Sequence, residues 1–220
     1  MKIISGPLSM FGAKVEIAAR EKGIAFELVM VPFSQQRGYE PRHPDVLRIN
    51  PKRQVPVLMD GDLEIFDSTQ IFEYLEDIGP GPALWPAHPK ARARARRLEH
   101  CSDEVYFPHI IRLMGLESTP DDPAAQAARH EAAQYYRSME RVLADREFLA
   151  ETYSYADIAF YMAQLFGART GAPMTKETPS LLAWRERMTE RPAVRKVAGA
   201  MARYLVSIGE AVPGFLKDID

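Results

Sequence analysis

The chain has 220 residues, of which 46% are hydrophobic and 26% are charged, an ordinary globular composition with enough length for one or two domains. Its formal net charge of −2 argues against nucleic acid and against an anionic membrane surface as partners. No apolar run approaches the roughly 18 residues of a transmembrane helix, and the N-terminal segment is too interrupted for a signal peptide. The single cysteine, Cys101, excludes an internal disulfide. We therefore expect a cytoplasmic protein that binds neither membrane nor nucleic acid.

The first 80 residues combine short β-rich runs with helical patterns. KIIS and FELVMVPF predict strands on either side of a helix, and a strand–helix–strand unit of this length predicts that the two strands pair in parallel. A loop is predicted over 34–45. Two apolar runs that flank Asp60-Gly61 then predict a β-hairpin, and a helical pattern over 68–79 follows it.

The segment that follows, IGPGPALWPAHP, contains four prolines and two glycines, so it cannot continue a regular element and predicts a linker over 81–87. Everything after it has a helical pattern. The sequence therefore predicts an α/β domain over 1–80 and an all-α domain over 88–220. The predicted helices cover approximately 88–117, 123–145, 154–170, 179–190 and 193–209.

Four motifs, in this order, resemble the glutathione transferase family: NPKRQVPVL, FDSTQIFEYLE, LWP and FLAETYSYADIAFY. The resemblance covers nearly the whole chain. It implies a thioredoxin-like N-terminal domain of βαβ-ββα order and that family's helical C-terminal domain. It also implies a homodimer that uses glutathione as co-substrate and a small apolar electrophile as second substrate. No metal is implied, because the five histidines show no ligand spacing.

Proline at position 56 is unexpected inside a strand, because it cannot donate a ladder hydrogen bond. Taken alone, it predicts an edge strand. The resemblance implies instead that the Val55-Pro56 peptide is cis, which costs little only before proline. The backbone groups of Val55 would then face an extended tripeptide and pair with it as an added strand does.

Asp67-Ser68 precedes a helical pattern, and both residues are good N-caps. A helix N-terminus is also an anion site. The resemblance implies that the hydroxyl and N–H of Ser68 hold the γ-glutamyl α-carboxylate of glutathione, while Asp67 takes the α-amino group. Asp67 is shorter than the glutamate or glutamine that is commoner there. The two roles are compatible, and we expect both.

The loop GPLSMFG offers serines but no tyrosine or cysteine for activating a thiol. Ser9 has the serine spacing of the bacterial-type, theta-like and zeta-like classes, in which a serine hydroxyl donates to the glutathione sulfur and stabilises the thiolate. The alternative is plain capping of the helix that follows. Phe11 and Gly12 depart from the usual serine-class context. The absence of cysteine argues against the classes that perform disulfide chemistry, and Cys101 is interpreted as an inert packing residue.

The glycine carboxylate of glutathione requires a cation or another donor. His43 is the first candidate and Gln54, next to Val55, the second. The other cations in or beside the same loop are Arg37, Arg42 and Lys52. Each of the four cations, His43 included, is as consistent with a solvated surface charge.

The first helix of the C-terminal part carries further candidates. Asp103 stands where the family often has an acid that reaches the γ-glutamyl amine of the partner subunit's glutathione. Tyr106, Ile110 and Met114 follow at helical spacing and are predicted, with Leu8 and Phe11, to wall an apolar electrophile pocket. A stripe at this spacing is also typical of plain core.

Ser154-Tyr-Ala-Asp157 has the pattern of a helix capping box. We interpret this box as structural, so substitution should lower stability and affect activity only indirectly.

The resemblance therefore predicts a serine-type glutathione transferase, in which the thiolate attacks an apolar electrophile by substitution, addition or a related glutathione-dependent lyase or dehalogenase reaction. The alternative is a non-catalytic glutathione-binding or assembly module of the same fold.

Overall fold

The structure, a computed structural model, describes residues 1–34, 36–40, 42–217 and 219. Its sheet has four strands in the order β2-β1-β3-β4. Strands β1 and β2 pair in parallel, as predicted, and β3 is antiparallel to both β1 and β4. The strands are β1 (Lys2–Ser5), β2 (Glu27–Met30), β3 (Val57–Asp60) and β4 (Leu63–Phe66).

Three helices accompany the sheet. They are α1 (Met10–Glu21), α2 (Pro44–Ile49) and α3 (Ser68–Ile78). The predicted loop over 34–45 missed the start of α2, a six-residue helix with proline at its first position. His43 caps it, because its Nδ1 accepts the Asp45 N–H at 3.2 Å. The loop prediction also includes Gln35 and Pro41, which lie outside the described residues.

The rest of the chain is helical, as predicted. The helices are α4 (Pro89–Cys101), α5 (Phe107–Gly115), α6 (Pro123–Leu143), α7 (Tyr155–Arg169), α8 (Pro179–Glu190) and α9 (Pro192–Ser207). A short 3₁₀ turn, Gly214–Leu216, follows them. Among the described helices, none is both long enough and apolar enough to cross a membrane.

The prediction of one regular helix over 88–117 was wrong in one respect. A π-helical turn, Ser102–Tyr106, separates α4 from α5. Pro108 has no N–H for the carbonyl four residues before it, so the α-helical ladder is interrupted here and the Phe107 N–H bonds to the Ser102 carbonyl instead. The turn changes which side chains of α5 face inward.

Consecutive residues of β1 point to opposite faces of the sheet. Ile3 packs with Leu58, Val15 and Ile71 against α1 and α3. Ile4 packs on the other face with a small cluster that includes Val46 of α2. The sheet is therefore covered on both sides.

The two parts of the molecule share a core. The opposite side of α1, including Met10 and Ile17, belongs to the large core of the helical part. The Leu84 and Trp85 N–H groups donate to the Glu76 carboxylate at 3.0 and 3.2 Å. Tyr155 stacks on Phe72 with ring centroids 3.7 Å apart. These contacts hold the linker and α7 against α3.

Candidate functional site

A polar cavity of about 310 Å³ opens where β3 and α3 begin and is closed on one side by the π-helical turn. Six of the residues predicted to bind glutathione line it: Gln54, Val55, Pro56, Asp67, Ser68 and Asp103. These residues come from three separate stretches of the chain, which the fold brings together around one space.

Asp67 and Ser68 form the start of α3. One Asp67 carboxylate oxygen accepts the N–H groups of Thr69 and Gln70 at 3.1 and 3.3 Å, so Asp67 is the N-cap, as predicted. Its φ of 74° is unusual for a residue with a side chain. The N–H of Ser68 is not used by this cap and faces the region where the helix dipole favours an anion.

The Val55-Pro56 peptide is cis, which confirms the prediction. β3 begins just after it, at Val57, so Val55 stands outside the ladder. Among the described residues, no partner for the Val55 backbone groups is found. Asn50 holds the preceding loop, because its side chain donates to the Gln54 carbonyl at 2.6 Å and accepts the Lys52 N–H at 2.9 Å.

Asp103 lies in a buried cluster of three charges. Lys14 of α1 is fully buried and donates to Glu99 at 2.9 Å and to Asp103. The Thr69 hydroxyl donates to the same Glu99 oxygen at 2.7 Å, which ties α3 to α1 and α4. Two carboxylates thus share one ammonium, and the cluster carries a net negative charge beside the cavity.

The second oxygen of Asp103, Oδ1, is buried and has no hydrogen-bond partner among the described residues. Burial raises the pKa of Asp103 to about 6, although the Lys14 ammonium opposes that rise. Burial alone lowers the pKa of Lys14, but its two carboxylate neighbours raise it above the ordinary value. Lys14 therefore stays charged, and Asp103 is an anion at neutral pH with an acceptor to spare.

The resemblance implies that Asp103 reaches the glutathione of the partner subunit, and that role stays a prediction. Within its own chain, Asp103 lines the polar cavity together with Ser68. Lys14 holds it there from within the same chain.

A second, apolar cavity of about 450 Å³ adjoins the first. Leu8, Phe11 and Met114, three of the predicted pocket residues, line it. Tyr106 and Ile110 do not, because both are fully buried in the core, where Tyr106 bonds to the Tyr136 hydroxyl. Beyond the π-helical turn, the adjacent face of α5 points to the cavity instead. Its residues there are Phe107, Ile111 and Met114, and Phe166 of α7 faces them.

Ser9 lines the apolar cavity and caps α1. Its Oγ accepts the Gly12 N–H at 3.0 Å, so its own proton remains for another acceptor. Ser5 lines a different cavity, against α9. A Cβ at Gly12 would lie 1.9 Å from Ser5 Oγ and 3.1 Å from Ser9 Oγ, which explains glycine at this position.

The candidate donors for the glycine carboxylate divide between the two cavities. Lys52 lines the polar one, and Gln54 lines both. His43 lines the apolar one, as do Arg37 and Arg42. Arg42 is paired with Glu40 at 2.7 Å.

Several residues in or behind the walls of the two cavities were not predicted. Nothing in the sequence indicates that Lys14 is buried, because a lysine on an amphipathic helix is normally expected to be exposed to solvent. The role of Asn50 could have been predicted, because the side chain of an asparagine in a loop commonly forms a hydrogen bond with the backbone of the residue two positions later. Tyr39 lines the apolar cavity from the loop before α2, and only the tertiary fold brings it there.

The capping box at α7 is present, as predicted. Asp157 is fully buried and accepts from the N–H groups of Leu149 and Ser154, the Ser154 hydroxyl and the Trp184 indole, at 2.9 to 3.0 Å. It lines neither cavity. Among the described residues, no group of three or more histidine, cysteine or acidic side chains is placed to hold a metal ion.

Comparisons with known families agree with this architecture. A model of the glutathione S-transferase N-terminal domain matches residues 4–83, and a model of the glutathione S-transferase C-terminal domain matches residues 103–192.

Individual proteins are similar at lower identity. A stringent starvation protein A homolog of Coxiella burnetii is 34% identical over 122 residues, 54% of this chain and 54% of that protein, so the match spans about half of that relative. The probable glutathione S-transferase parC of Nicotiana tabacum is 28% identical over 199 residues, 86% of this chain and 84% of that protein. The crystal structure of glutathione transferase F7 from Populus trichocarpa has a TM-score of 0.78 at 26% identity, over 91% of this chain and 98% of that one.

With both domain models matched in order and a fold shared over almost its full length, this chain belongs to the glutathione S-transferase family, whose members use glutathione as co-substrate.

Proposed function

We propose that this protein forms the glutathione thiolate at Ser9 and directs it at an electrophilic carbon of an apolar substrate. The observation that carries the proposal is that a polar cavity and an apolar cavity meet, sharing Phe11, Gln54 and Val55 in their walls. A charged tripeptide fits the first space and an apolar molecule the second, so the sulfur between them is positioned for transfer.

The γ-glutamyl end of glutathione is assigned to the polar cavity. The N–H and hydroxyl of Ser68 take the α-carboxylate at the positive end of α3. The α-ammonium of glutathione donates a hydrogen bond to Asp103 Oδ1, which otherwise has no partner among the described residues. Asp67 uses one carboxylate oxygen as cap, and its other oxygen is available to the same ammonium.

The remainder of glutathione runs along the start of β3. The backbone groups of Val55, next to Pro56, pair with the cysteinyl residue as an added strand. His43 and Gln54 hold the glycine carboxylate. Because His43 Nδ1 accepts the Asp45 N–H, its Nε2 is the nitrogen that donates.

The Ser9 hydroxyl donates to the glutathione sulfur and stabilises the thiolate, whose proton passes to solvent. A lone pair of the sulfur then forms the bond to the electrophilic carbon. In a substitution the leaving group departs with the electrons of its bond to that carbon, and in an addition the electrons of the double bond shift to the neighbouring atom. Only the thiolate is nucleophilic, and an ordinary thiol with a pKa of about 8.5 is mostly protonated at neutral pH.

Conjugation of glutathione to 1-chloro-2,4-dinitrobenzene tests this function. We expect turnover by the wild type and a loss of about 100-fold in kcat/KM for Ser9→Ala, the scale of removing one donor to a developing anion. Ser138→Ala, on α6, is the matched control and should behave as the wild type. Glutathione binding in calorimetry without turnover of any electrophile would support the non-catalytic binding module instead.

We also propose a cytoplasmic homodimer. Val105 at the π-helical turn and Ile78 at the end of α3 are 50% and 43% exposed, so apolar surface is available for a second copy. Light scattering at micromolar concentration should give twice the monomer mass of 24.8 kDa, and a monomer mass would contradict the dimer.

A further inference from the structure

Lys14 is a cation on α1 that the proposed function does not use. Its side chain is fully buried, and a lysine is rarely buried to this extent unless it is paired. The ammonium donates to Glu99 at 2.9 Å and to Asp103. Its Nζ also lies 5.4 and 5.2 Å from the ring centroids of Phe11 and Tyr155. Lys14 is therefore enclosed between its own helix, α4, α7 and the π-helical turn.

The bonds of this cluster determine which carboxylate oxygen stays unused. Glu99 Oε1 accepts from both Lys14 and the Thr69 hydroxyl, at 2.9 and 2.7 Å. Asp103 offers Oδ2 to the same ammonium, so Oδ1 is the oxygen without a partner among the described residues. Both acids line the polar cavity, whereas Lys14 does not. Lys14 thus orients Asp103 without itself lining the space for a ligand.

The buried charges of the cluster do not balance. Lys14 is one cation beside two carboxylates, and within the described part of the chain no other cation forms an ion pair with either acid. Tyr135 of α6 and Tyr155 of α7 lie near Asp103, but burial raises the pKa of both hydroxyls, so they stay neutral. The other charged or titratable groups that line the polar cavity are exposed and screened by solvent; they are Lys52, Asp67, His100 and Glu104.

Each buried neighbour acts on Asp103 in a definite direction. Burial raises the pKa of Asp103 to about 6, the Lys14 ammonium opposes that rise, and the Glu99 carboxylate adds to it. Removal of the cation should therefore raise this pKa further, and removal of the neighbouring anion should lower it. The α-ammonium of glutathione, bound at Oδ1, supplies the second positive charge that the two buried acids lack.

We propose that Lys14 is a positioning residue for glutathione, which keeps Glu99 and Asp103 ionised and leaves Asp103 Oδ1 for the α-ammonium, and so sets the lowest pH at which glutathione binds well. This inference rests on the proposed function, because it assigns the α-ammonium to Asp103. Lys14 acts only through the two acids, so its effect is a change in the pH dependence of binding.

Binding of S-methylglutathione, measured by calorimetry from about pH 5 to about pH 8, tests this role, because the methylated sulfur does not titrate. The wild type should lose affinity as the pH falls, with a midpoint near the Asp103 pKa of about 6. In Lys14→Met, we expect this midpoint to rise by about one pH unit or more, since a nearby opposite charge lowers the pKa of a carboxyl by about 1–3.

Glu99→Gln should move the midpoint in the opposite direction. The amide keeps an oxygen for Lys14 and for the Thr69 hydroxyl but removes the like charge beside Asp103. We therefore expect a midpoint about one pH unit below that of the wild type. Because this substitution retains the shape of the side chain, it also decides the question where Lys14→Met does not fold.

Lys22→Met is the matched control. Lys22 is a second buried lysine, whose ammonium donates to Glu76 at 2.8 Å, and it lines neither cavity. Its loss should lower Tm and leave the midpoint of S-methylglutathione binding at the wild-type value.

The remaining outcomes are distinguishable. An unmoved midpoint in Lys14→Met would overturn the proposal, even where affinity falls at every pH, because such a loss is structural. Where Lys14→Met does not fold, an unmoved midpoint in Glu99→Gln overturns it. If the wild type binds S-methylglutathione without any pH dependence, only this inference fails. If the wild type binds neither glutathione nor S-methylglutathione at any pH, the proposed function fails and this inference fails with it.

Discussion

Two buried aspartates of the helical region, Asp157 and Asp103, have similar pKa values and opposite surroundings. Burial raises the pKa of each to about 6. Every oxygen of Asp157 accepts hydrogen bonds from its own chain, whereas Asp103 leaves Oδ1 without a partner among the described residues, beside a cavity. A carboxylate with all acceptors occupied supports the fold, while one with an unused acceptor in the wall of a cavity can take a donor from a ligand.

The largest effect that this comparison predicts is on stability. Asp157→Ala leaves the Leu149 and Ser154 N–H groups and the Trp184 indole without an acceptor. We expect the free energy of unfolding to fall by about 3 kcal/mol or more, since each orphaned buried donor costs about 1–3 kcal/mol. Chemical denaturation measures it. Glutathione affinity of the variant that remains folded should be unchanged, and normal stability with lost affinity would reverse the assigned roles.

Asp103→Asn should affect binding more than folding. The substitution keeps the shape of the side chain and its bond to Lys14 but removes the charge that the α-ammonium needs. A charge-assisted hydrogen bond contributes about 1.5–3 kcal/mol, so we expect Kd for glutathione to rise about 10- to 100-fold. Calorimetry measures this effect. An unchanged Kd would show that Oδ1 is merely an unfilled acceptor.

The same residue predicts a pH dependence. As the pH falls through about 6, Asp103 takes up a proton and loses the charge that attracts the ammonium. Using S-methylglutathione, whose sulfur does not titrate, we expect affinity to fall about tenfold between pH 7 and pH 5, the change expected when a group of this pKa must be ionised. Asp103→Asn should flatten the profile. A profile that persists in the variant would contradict the assignment of this titration to Asp103.

The smallest predicted effect on glutathione affinity is that of Asp67. This residue is exposed, caps α3 and lines the polar cavity. Asp67→Asn retains an oxygen for the Thr69 and Gln70 N–H groups but not the charge. Because solvent screens an exposed pair to about 0–1 kcal/mol, we expect Kd for glutathione to rise only about threefold, with an unchanged Tm. A loss as large as that of Asp103→Asn would make Asp67 the principal ammonium partner.

The polar cavity could be largely predicted because its motifs resemble those of a known family. Taken alone, Pro56 predicted an edge strand and Asp67-Ser68 a helix cap, and the resemblance implied the cis peptide and the binding roles. The fold class followed from local signals, since strand pattern and helix caps are local.

The apolar cavity could be predicted only in part, because its lining depends on helix register and on distant packing. Pro108 shifts the α-helical ladder, so Phe107 and Ile111 face the cavity where Tyr106 and Ile110 were predicted. Lys14 is fully buried with one acid from α4 and one from the π-helical turn at its ammonium, and no feature near Lys14 in the sequence indicates them. Helix α2 was missed because six residues show too little periodicity.

The central claim is that Ser9 stabilises the glutathione thiolate, and a difference titration of thiolate absorbance against pH tests it most directly. The titration compares saturating glutathione with the wild type, Ser9→Ala and the control Ser138→Ala. We predict thiolate formation well below the free-thiol pKa of about 8.5 in the wild type and in Ser138→Ala, and a return toward the free value in Ser9→Ala. Glutathione that binds the wild type without a shift, or an equal shift in Ser9→Ala, would contradict the claim.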